Sequence, residues 1–272
     1  MTRIYETKAK TILIRSNLPD TDYVVNPYLG CEFGCHYCYA SFMGRHVGEP
    51  IEEWGNYVYV KTNAVELFRK HLSCMRNKKA SILLSSVTDP YQGVEAKYKL
   101  TRGILEALVE IDYQGIISIL TKSSMVRRDI ELFKKLKNIE VGLTVTSAED
   151  KLCRFMEARS SKASVRLKVL KELNDIGITT YAFIGPLMPY CYMDLKKLDE
   201  LFKKIAKTGT KEIYVEHLNL KPYILKRLAP LLEERHKYIQ NIYKDKKSIG
   251  KIIDMLVKKY GLKLRLDATL EH

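Results

Sequence analysis

Short apolar runs alternate along this chain with longer amphipathic stretches, and few folds accommodate that rhythm. The runs cover residues 23–28, 81–87, 115–121, 141–146, 179–185 and 212–216. Their length and β-branched content predict strands buried on both faces. Residues 63–75, 99–111, 129–136, 164–176 and 195–208 read as helices between them. In the fourth of these, Val165, Leu167, Leu170 and Leu173 recur near helical spacing, and Gly177 supplies a stop. Strand–helix alternation implies parallel strands joined by right-handed crossovers. Six such units predict an α/β fold of the partial (β/α)6 barrel type rather than a closed eight-fold barrel. Beyond the sixth run the chain reads helical from about 221 to 260, with a short strand at 262–266. The expected organisation is a barrel over residues 1–220 and a helical C-terminal extension over 221–269 packed on it. Residues 270–272 (Leu-Glu-His) resemble an expression-tag scar.

Composition narrows the class. A chain of 272 residues, 46% hydrophobic and 29% charged, fits an ordinary globular protein of one large or two small domains. No repeat, low-complexity tract, linker, signal peptide or membrane-spanning run is evident, so a cytoplasmic, non-membrane protein is expected. Lys+Arg 46 against Asp+Glu 32 gives a net charge of +14. That balance favours anionic partners such as nucleotides, tRNA or DNA. Lysines spread over solvated helix faces would give the same number.

If the strands are parallel, their C-terminal ends should carry the chemistry, as in other α/β barrels. The ends read Gly30-Cys31, Ser85 through Gln92, Thr121 through Ser124, Thr144 through Ser147, Gly185-Pro186 and Glu216 through Asn219. Each alone is ordinary turn or cap chemistry. Their repetition after every strand gathers polar groups on one rim.

The first end leads into Cys31, Cys35 and Cys38, a C-x3-C-x2-C run inside the stretch 26–40. Three thiolates on a glycine-containing loop can reach three irons of one [4Fe–4S] cubane, leaving the fourth iron to a non-protein ligand. Ferredoxin patterns supply four cysteines, so this arrangement points to chemistry at the cluster rather than electron storage. Structural zinc is the competing reading. It takes four ligands, and His36 sits too tightly inside the run for good tetrahedral geometry. A disulfide framework does not suit a chain long enough to build its own core. Cys74, Cys153 and Cys191 stand outside the motif as scattered structural residues.

The cysteine spacing, with Tyr37 before the last thiol, resembles the radical S-adenosylmethionine (SAM) superfamily. There the amino and carboxylate groups of SAM chelate the open iron, and reductive cleavage gives a 5′-deoxyadenosyl radical. Residues 26–40, 87–92, 98–102 and 120–124, with Arg166-Leu167, resemble in particular the spore-photoproduct-lyase-like branch. The likeness spans about 26–189 and leaves the C-terminal third unmatched. It implies that Cys31, Cys35 and Cys38 ligate the cluster and that Tyr37 lies near the adenine of SAM. It further implies Thr88 at the methionine amino group, Lys122 at the carboxylate and Thr146 at the ribose. Hydroxyls and an ammonium suit those contacts. Glu157 and Arg166 are also motif positions, open to either ligand contact or a helix-steadying ion pair.

One position departs from that branch. Ser86 stands where the repair lyase carries the cysteine that returns a hydrogen atom, and an alcohol is a far poorer hydrogen-atom donor than a thiol. The leading expectation is therefore a radical SAM lyase acting on a modified nucleoside or nucleotide, in the manner of the compact lyase that releases queuine from queuosine 5′-phosphate. Asp89, Tyr91, Gln92, Glu216, His217 and Asn219, at predicted strand ends, are the expected substrate contacts; for Glu216 and His217 a capped strand end is the competing reading. DNA photoproduct repair is the alternative. It would need a basic groove, for which Lys221, Lys226, Arg227, Arg235, Lys237, Lys244, Lys246 and Lys247 are available. A non-catalytic iron–sulfur or nucleic-acid-binding module is the third reading. Radical chemistry of this kind also implies an electron-donor partner such as flavodoxin or ferredoxin.

Overall fold

The structure, a computed structural model, describes residues 1–188, 194–232 and 246–266. It is a mixed α/β fold whose chain divides into two compact units, Met1–Gly34 with Ala40–Gly142, and Cys35–Tyr39 with Leu143–His272. Strands are β1 (Arg3–Thr7), β2 (Leu13–Arg15), β3 (Tyr23–Val25), β4 (Tyr28–Leu29), β5 (Tyr57–Lys61), β6 (Ile82–Leu84), β7 (Ile117–Thr121), β8 (Ile139–Thr144), β9 (Thr179–Leu187), β10 (Glu212–His217) and β11 (Lys263–Leu264).

In the first unit β3, β6 and β7 pair in parallel, with β2 antiparallel on the edge. The run continues to β8, which closes this unit through Gly142. Val25, Ile82, Leu84, Ile117 and Ile119 are buried along these strands. Helices Ala64–Cys74 and Leu100–Glu110 cover them through Phe68, Leu72, Ile104, Leu105 and Leu108, all buried. In the second unit the order runs from β8 through β9 and β10 to β11, with β9, β10 and β11 parallel. Helices Ala163–Asp175 and Leu195–Ala206 bury Leu170, Leu173, Leu198, Leu201 and Phe202. Apolar stripes at helical spacing on one side and β-branched strands on the other account for both cores.

All six expected strands are present, as is the short one after residue 261. The first expected strand is corrected: it stops at Val25, and Tyr28–Leu29 instead pairs antiparallel with β5. There it joins a separate three-stranded sheet, ordered β1-β5-β4, that the apolar pattern does not announce. The expected helical region after residue 220 contains helices Pro222–Leu232 and Lys246–Tyr260. The supposed tag residues 270–272, together with Cys191, Arg235, Lys237 and Lys244, lie outside the described residues.

Candidate active site

The chain enters the cysteine segment from the first unit through Gly30. This glycine sits at φ +87°, and a Cβ on it would lie 2.5 Å from the carbonyl oxygen of Tyr57. A larger residue therefore lacks both the backbone conformation and the space. The Gly30 carbonyl accepts from Thr88 Oγ1 at 2.5 Å and from Gln92 Nε2 at 3.3 Å. Gln92 Nε2 also donates to Thr88 Oγ1 (2.9 Å), while Gln92 Oε1 accepts the Glu32 N–H (2.8 Å). One fully buried amide thus holds the residues on both sides of Cys31. The Glu32 carboxylate in turn accepts the Val94 N–H at 2.6 Å.

Behind this grip lies a charged layer that the sequence reading passed over. Glu95, fully buried, accepts from the Tyr28 hydroxyl, from the N–H groups of Thr101 (3.0 Å) and Arg102 (3.2 Å), and from Arg128 Nη2 (2.7 Å). It thereby caps helix Leu100–Glu110, which starts after Lys99 in the left-handed region at φ 52°. Asp129, also fully buried, accepts from the Tyr91 hydroxyl (3.0 Å) and Arg102 Nη1 (2.7 Å), and pairs with Arg128. Burial first, and the carboxylate beside each second, push the hydroxyls of Tyr28 and Tyr91 above the ordinary phenol range.

Asp89 ties two strand ends together. Its carboxylate accepts from Thr121 Oγ1 (2.6 Å), the Lys122 N–H (2.8 Å) and the Tyr91 N–H (2.9 Å). Burial raises its pKa, against the opposing pull of those donors. Lys122 is thus fixed at the end of β7 through its own main chain. Asn26 does the same for β6. Its Oδ1 accepts the N–H groups of Ser86 (2.9 Å) and Val87 (3.1 Å), and its Nδ2 donates to Ser86 Oγ at 3.3 Å.

Cys35 to Tyr39 belong to the second unit, and a different device holds them. The Tyr37 hydroxyl, wholly buried, donates to Glu157 Oε1, which also accepts from Thr146 Oγ1 at 3.0 Å. Glu157 Oε2 pairs with Arg166 Nη2 and accepts from Ser160 Oγ (3.2 Å). The other guanidinium donors of Arg166 reach the carbonyls of Thr144 (Nη1, 2.8 Å) and Ser161 (Nε, 2.8 Å). Glu157 and Arg166 side chains are both 0% exposed, and the ion pair between them is present. Burial, then Glu157, then Cys35 push the Tyr37 hydroxyl upward. The His36 N–H donates to the Met156 carbonyl (3.1 Å), and the Tyr223 hydroxyl donates to the Tyr39 carbonyl (3.0 Å). Burial, then the Arg227 charge, lower the His36 pKa, so the imidazole favours its neutral form.

At the end of β10, His217 is buried and Glu216 half-buried, and Asn219 Oδ1 caps the next turn by accepting the Lys221 N–H at 3.0 Å. Burial, then Cys38 and Glu216, raise the pKa of the Tyr39 hydroxyl. Within this unit, then, the charge of Glu216 bears on Tyr39, the residue after Cys38. Of the expected contacts in the first unit, Asp89, Tyr91 and Gln92 spend their polar atoms on the scaffold.

Cys31, Cys35 and Cys38 take part in no disulfide; the first two are buried and the third half-buried. Among the described residues no three Cys, His, Asp or Glu side chains converge as ligands of a single ion would. Cubane ligands need not converge in that way, since each binds a different iron. Three thiols so close in sequence fit an iron–sulfur cluster in donor type. Outside the motif, the Cys153 Sγ lies 3.6 Å from Thr146 Oγ1 and 3.7 Å from the Ser147 carbonyl. No helix among the described residues is long and apolar enough to cross a membrane.

Comparison with known proteins agrees with this donor set. A sequence profile described as the Radical SAM superfamily matches residues 25–202. An uncharacterized protein of Methanocaldococcus jannaschii is 37% identical over 255 residues, covering 93% of this chain and 92% of its own. An uncharacterized protein of Mycobacterium tuberculosis is 29% identical over 203 residues, 73% of this chain and 59% of that one. Among solved structures, a spore photoproduct lyase variant with bound AdoMet and dinucleoside spore photoproduct superposes with a TM-score of 0.66. It covers 97% of this chain and 82% of its own at 13% identity. Streptococcus suis SuiB bound to S-adenosylmethionine gives 0.54, with 80% and 47% covered, at 17% identity. At such identities the likeness is one of fold.

Proposed function

This chain belongs to the radical SAM superfamily, and from that premise we propose that it is a lyase acting on a modified nucleoside or its 5′-phosphate. Membership implies a [4Fe–4S] cluster and SAM as cofactors; together, when bound and reduced, they supply a 5′-deoxyadenosyl radical. An electron donor of the flavodoxin or ferredoxin kind would serve them. Cys31, Cys35 and Cys38 are the cluster ligands in this reading, and Lys122 meets the SAM carboxylate. Thr88 faces the amino group with the one lone pair that its donation to Gly30 and its acceptance from Gln92 leave, Thr146 serves the ribose and Tyr37 the adenine.

The observation that carries the reading is the double hold on Gly30 and Glu32, which fixes the first cysteine of the run. In this proposal the charged groups of Lys122 and Glu216, both at strand ends, serve ligands, whereas Asp89, Tyr91 and Gln92 shape the rim. Substrate contact in this proposal falls to Glu216, His217 and Asn219, with the net charge of +14 favouring a phosphate-bearing substrate. Because a primary radical is indiscriminate, selectivity rests on holding one carbon close and aligned.

A second reading, lesion repair on DNA, has its support in the likeness of fold to a lyase holding a dinucleoside. Ser86, held by Asn26 where that enzyme's branch has a thiol, weighs against the same hydrogen return. Family membership favours an enzyme over a non-catalytic module. The test is anaerobic incubation of the reconstituted, reduced protein and SAM with queuosine 5′-phosphate or a dipyrimidine lesion, followed by mass spectrometry. Release of queuine with the lesion untouched supports the first reading. Turnover of the lesion alone reverses the order.

A further inference from the structure

Tyr37 stands between two cysteines of the run, and its hydroxyl ends on a carboxylate that is itself clamped by a wholly buried arginine. Burying a carboxylate and a guanidinium together is costly, and an apolar pair would fill the same space at least as stably. Arg166 nevertheless spends every guanidinium nitrogen here: Nη1 on Thr144, Nε on Ser161, and Nη2 on Glu157 and Ser160. Lysine has no planar fork to replace it. Glu157 is equally committed, with Tyr37 and Thr146 on one oxygen and Arg166 and Ser160 on the other. Next to it the Met156 carbonyl accepts the His36 N–H at 3.1 Å. Two consecutive residues of the cysteine segment are therefore seated on two consecutive residues that end helix Asp150–Met156 and follow it. The turn they seat is closed by the Cys38 N–H on the Cys35 carbonyl at 3.1 Å.

We propose that Glu157 and Arg166 are positioning residues: they lock Tyr37, and through it fix the Cys35–Cys38 turn independently of Cys31. The assignment of these thiols as cluster ligands rests on the function proposed above; the mechanical claim does not. The pair sets the direction in which two of the three thiols point before any cofactor arrives.

The test begins with the apoprotein. Alkylation of each cysteine by iodoacetamide is followed under native conditions by peptide mass spectrometry, for wild type, Tyr37→Phe and Glu157→Gln. Tyr37→Phe leaves the ion pair intact and removes only the hydroxyl, so it keeps the test usable if Glu157→Gln folds poorly. Asn174→Ala serves as the control. Its amide bridges the Thr208 carbonyl and Thr210 Oγ1, both at 3.1 Å, so it weakens the same unit through other residues. Tyr37→Phe should speed alkylation of Cys35 and Cys38 about five-fold, the factor that one typical hydrogen bond implies, with Cys31 unchanged. Glu157→Gln should exceed that, and Asn174→Ala should not reproduce the pattern. Equal acceleration of all three cysteines, the same pattern in Asn174→Ala, or no change in either loop variant would overturn the proposal. The reconstituted proteins then report on the reading beneath it. With a cluster present, Tyr37→Phe should keep the iron content of wild type but alter the electron paramagnetic resonance signal of the reduced, SAM-bound state. Selective alkylation in a wild-type protein that binds no iron would leave the positioning pair standing and remove the cluster assignment.

Discussion

Residues 28 to 34 and residues 35 to 39 are consecutive in the chain, yet different chemistry holds them. In the first unit a glutamine amide and a threonine hydroxyl grip the backbone around Cys31, with Glu95 and Asp129 behind them. The arginines serving those two acids, Arg102 and Arg128, keep 26% and 24% of their side chains in solvent. In the second unit the supporting arginine keeps none. An ion whose partner is deleted can be rehydrated in the first case but not in the second. Equal numbers of hydrogen bonds therefore do not mean equal fragility. The neutral grip should degrade by steps, whereas the buried pair should fail at once.

The sharpest way to break that comparison is to delete one arginine from each side. Arg166→Met leaves Glu157 buried and unpaired and should lower the unfolding free energy by about 3–5 kcal/mol in urea titration. Arg128→Met, which opens a path for water from the surface and leaves Asp129 paired with Arg102, should cost roughly 1–2 kcal/mol. Equal losses would mean that exposure does not separate the two layers. Lys122→Ala carries the next effect, on binding rather than folding. Losing a charge-assisted contact should weaken SAM binding by about 1.5–3 kcal/mol by calorimetry, with iron content unchanged. Unaltered affinity would place Lys122 outside the SAM site.

Alkali sharpens the comparison further. Burial, and then Glu157, push the Cys153 thiol up to about 11 from 9.0. The unfolded chain gives up this proton first, so stability from the group is whole below pH 9 and is lost as pH rises through the folded value. By pH 11 the loss is about 2 kcal/mol. Cys153→Ala should flatten that alkaline fall; an unchanged slope would exclude the thiol as its source. The smallest effect belongs to the neutral grip. Thr88→Val removes one donor to Gly30 while Gln92 still bonds the same carbonyl, and should cost about 1 kcal/mol. A loss as large as that for Arg166→Met would contradict stepwise failure.

The strands that build the main cores could be read from sequence because apolar side chains recur along their buried faces. Ile117, Ile119, Val141 and Leu143 announce burial before any contact is known. Strand β1 could not, since Arg3 to Glu6 are all exposed and its place comes from main-chain pairing with β5. The cysteine run was equally plain, because three like ligands at short spacing have few uses. Glu95, Asp129 and Arg128 were not, since nothing local distinguishes a buried acid from one on a helix face. Gln92 shows the same limit from the other direction. Its polarity at a strand end suggested a reader of substrate, and only the fold reveals that its amide is turned onto the chain itself. Arg166 stood out as a motif position, but its choice of partner required the third dimension.

Gly30 has a practical consequence for anyone moving this segment elsewhere. Grafting Cys31 to Cys38 onto a new scaffold would carry the thiols but not their aim. The residue before them must turn left-handed against a neighbouring carbonyl 2.5 Å from where a side chain would begin. Such a graft needs the glycine, a strand passing where Tyr57 passes, and an acceptor-and-donor side chain placed as Gln92 is. The minimal transferable part is thus larger than the motif, and it includes a residue sixty positions downstream of Glu32.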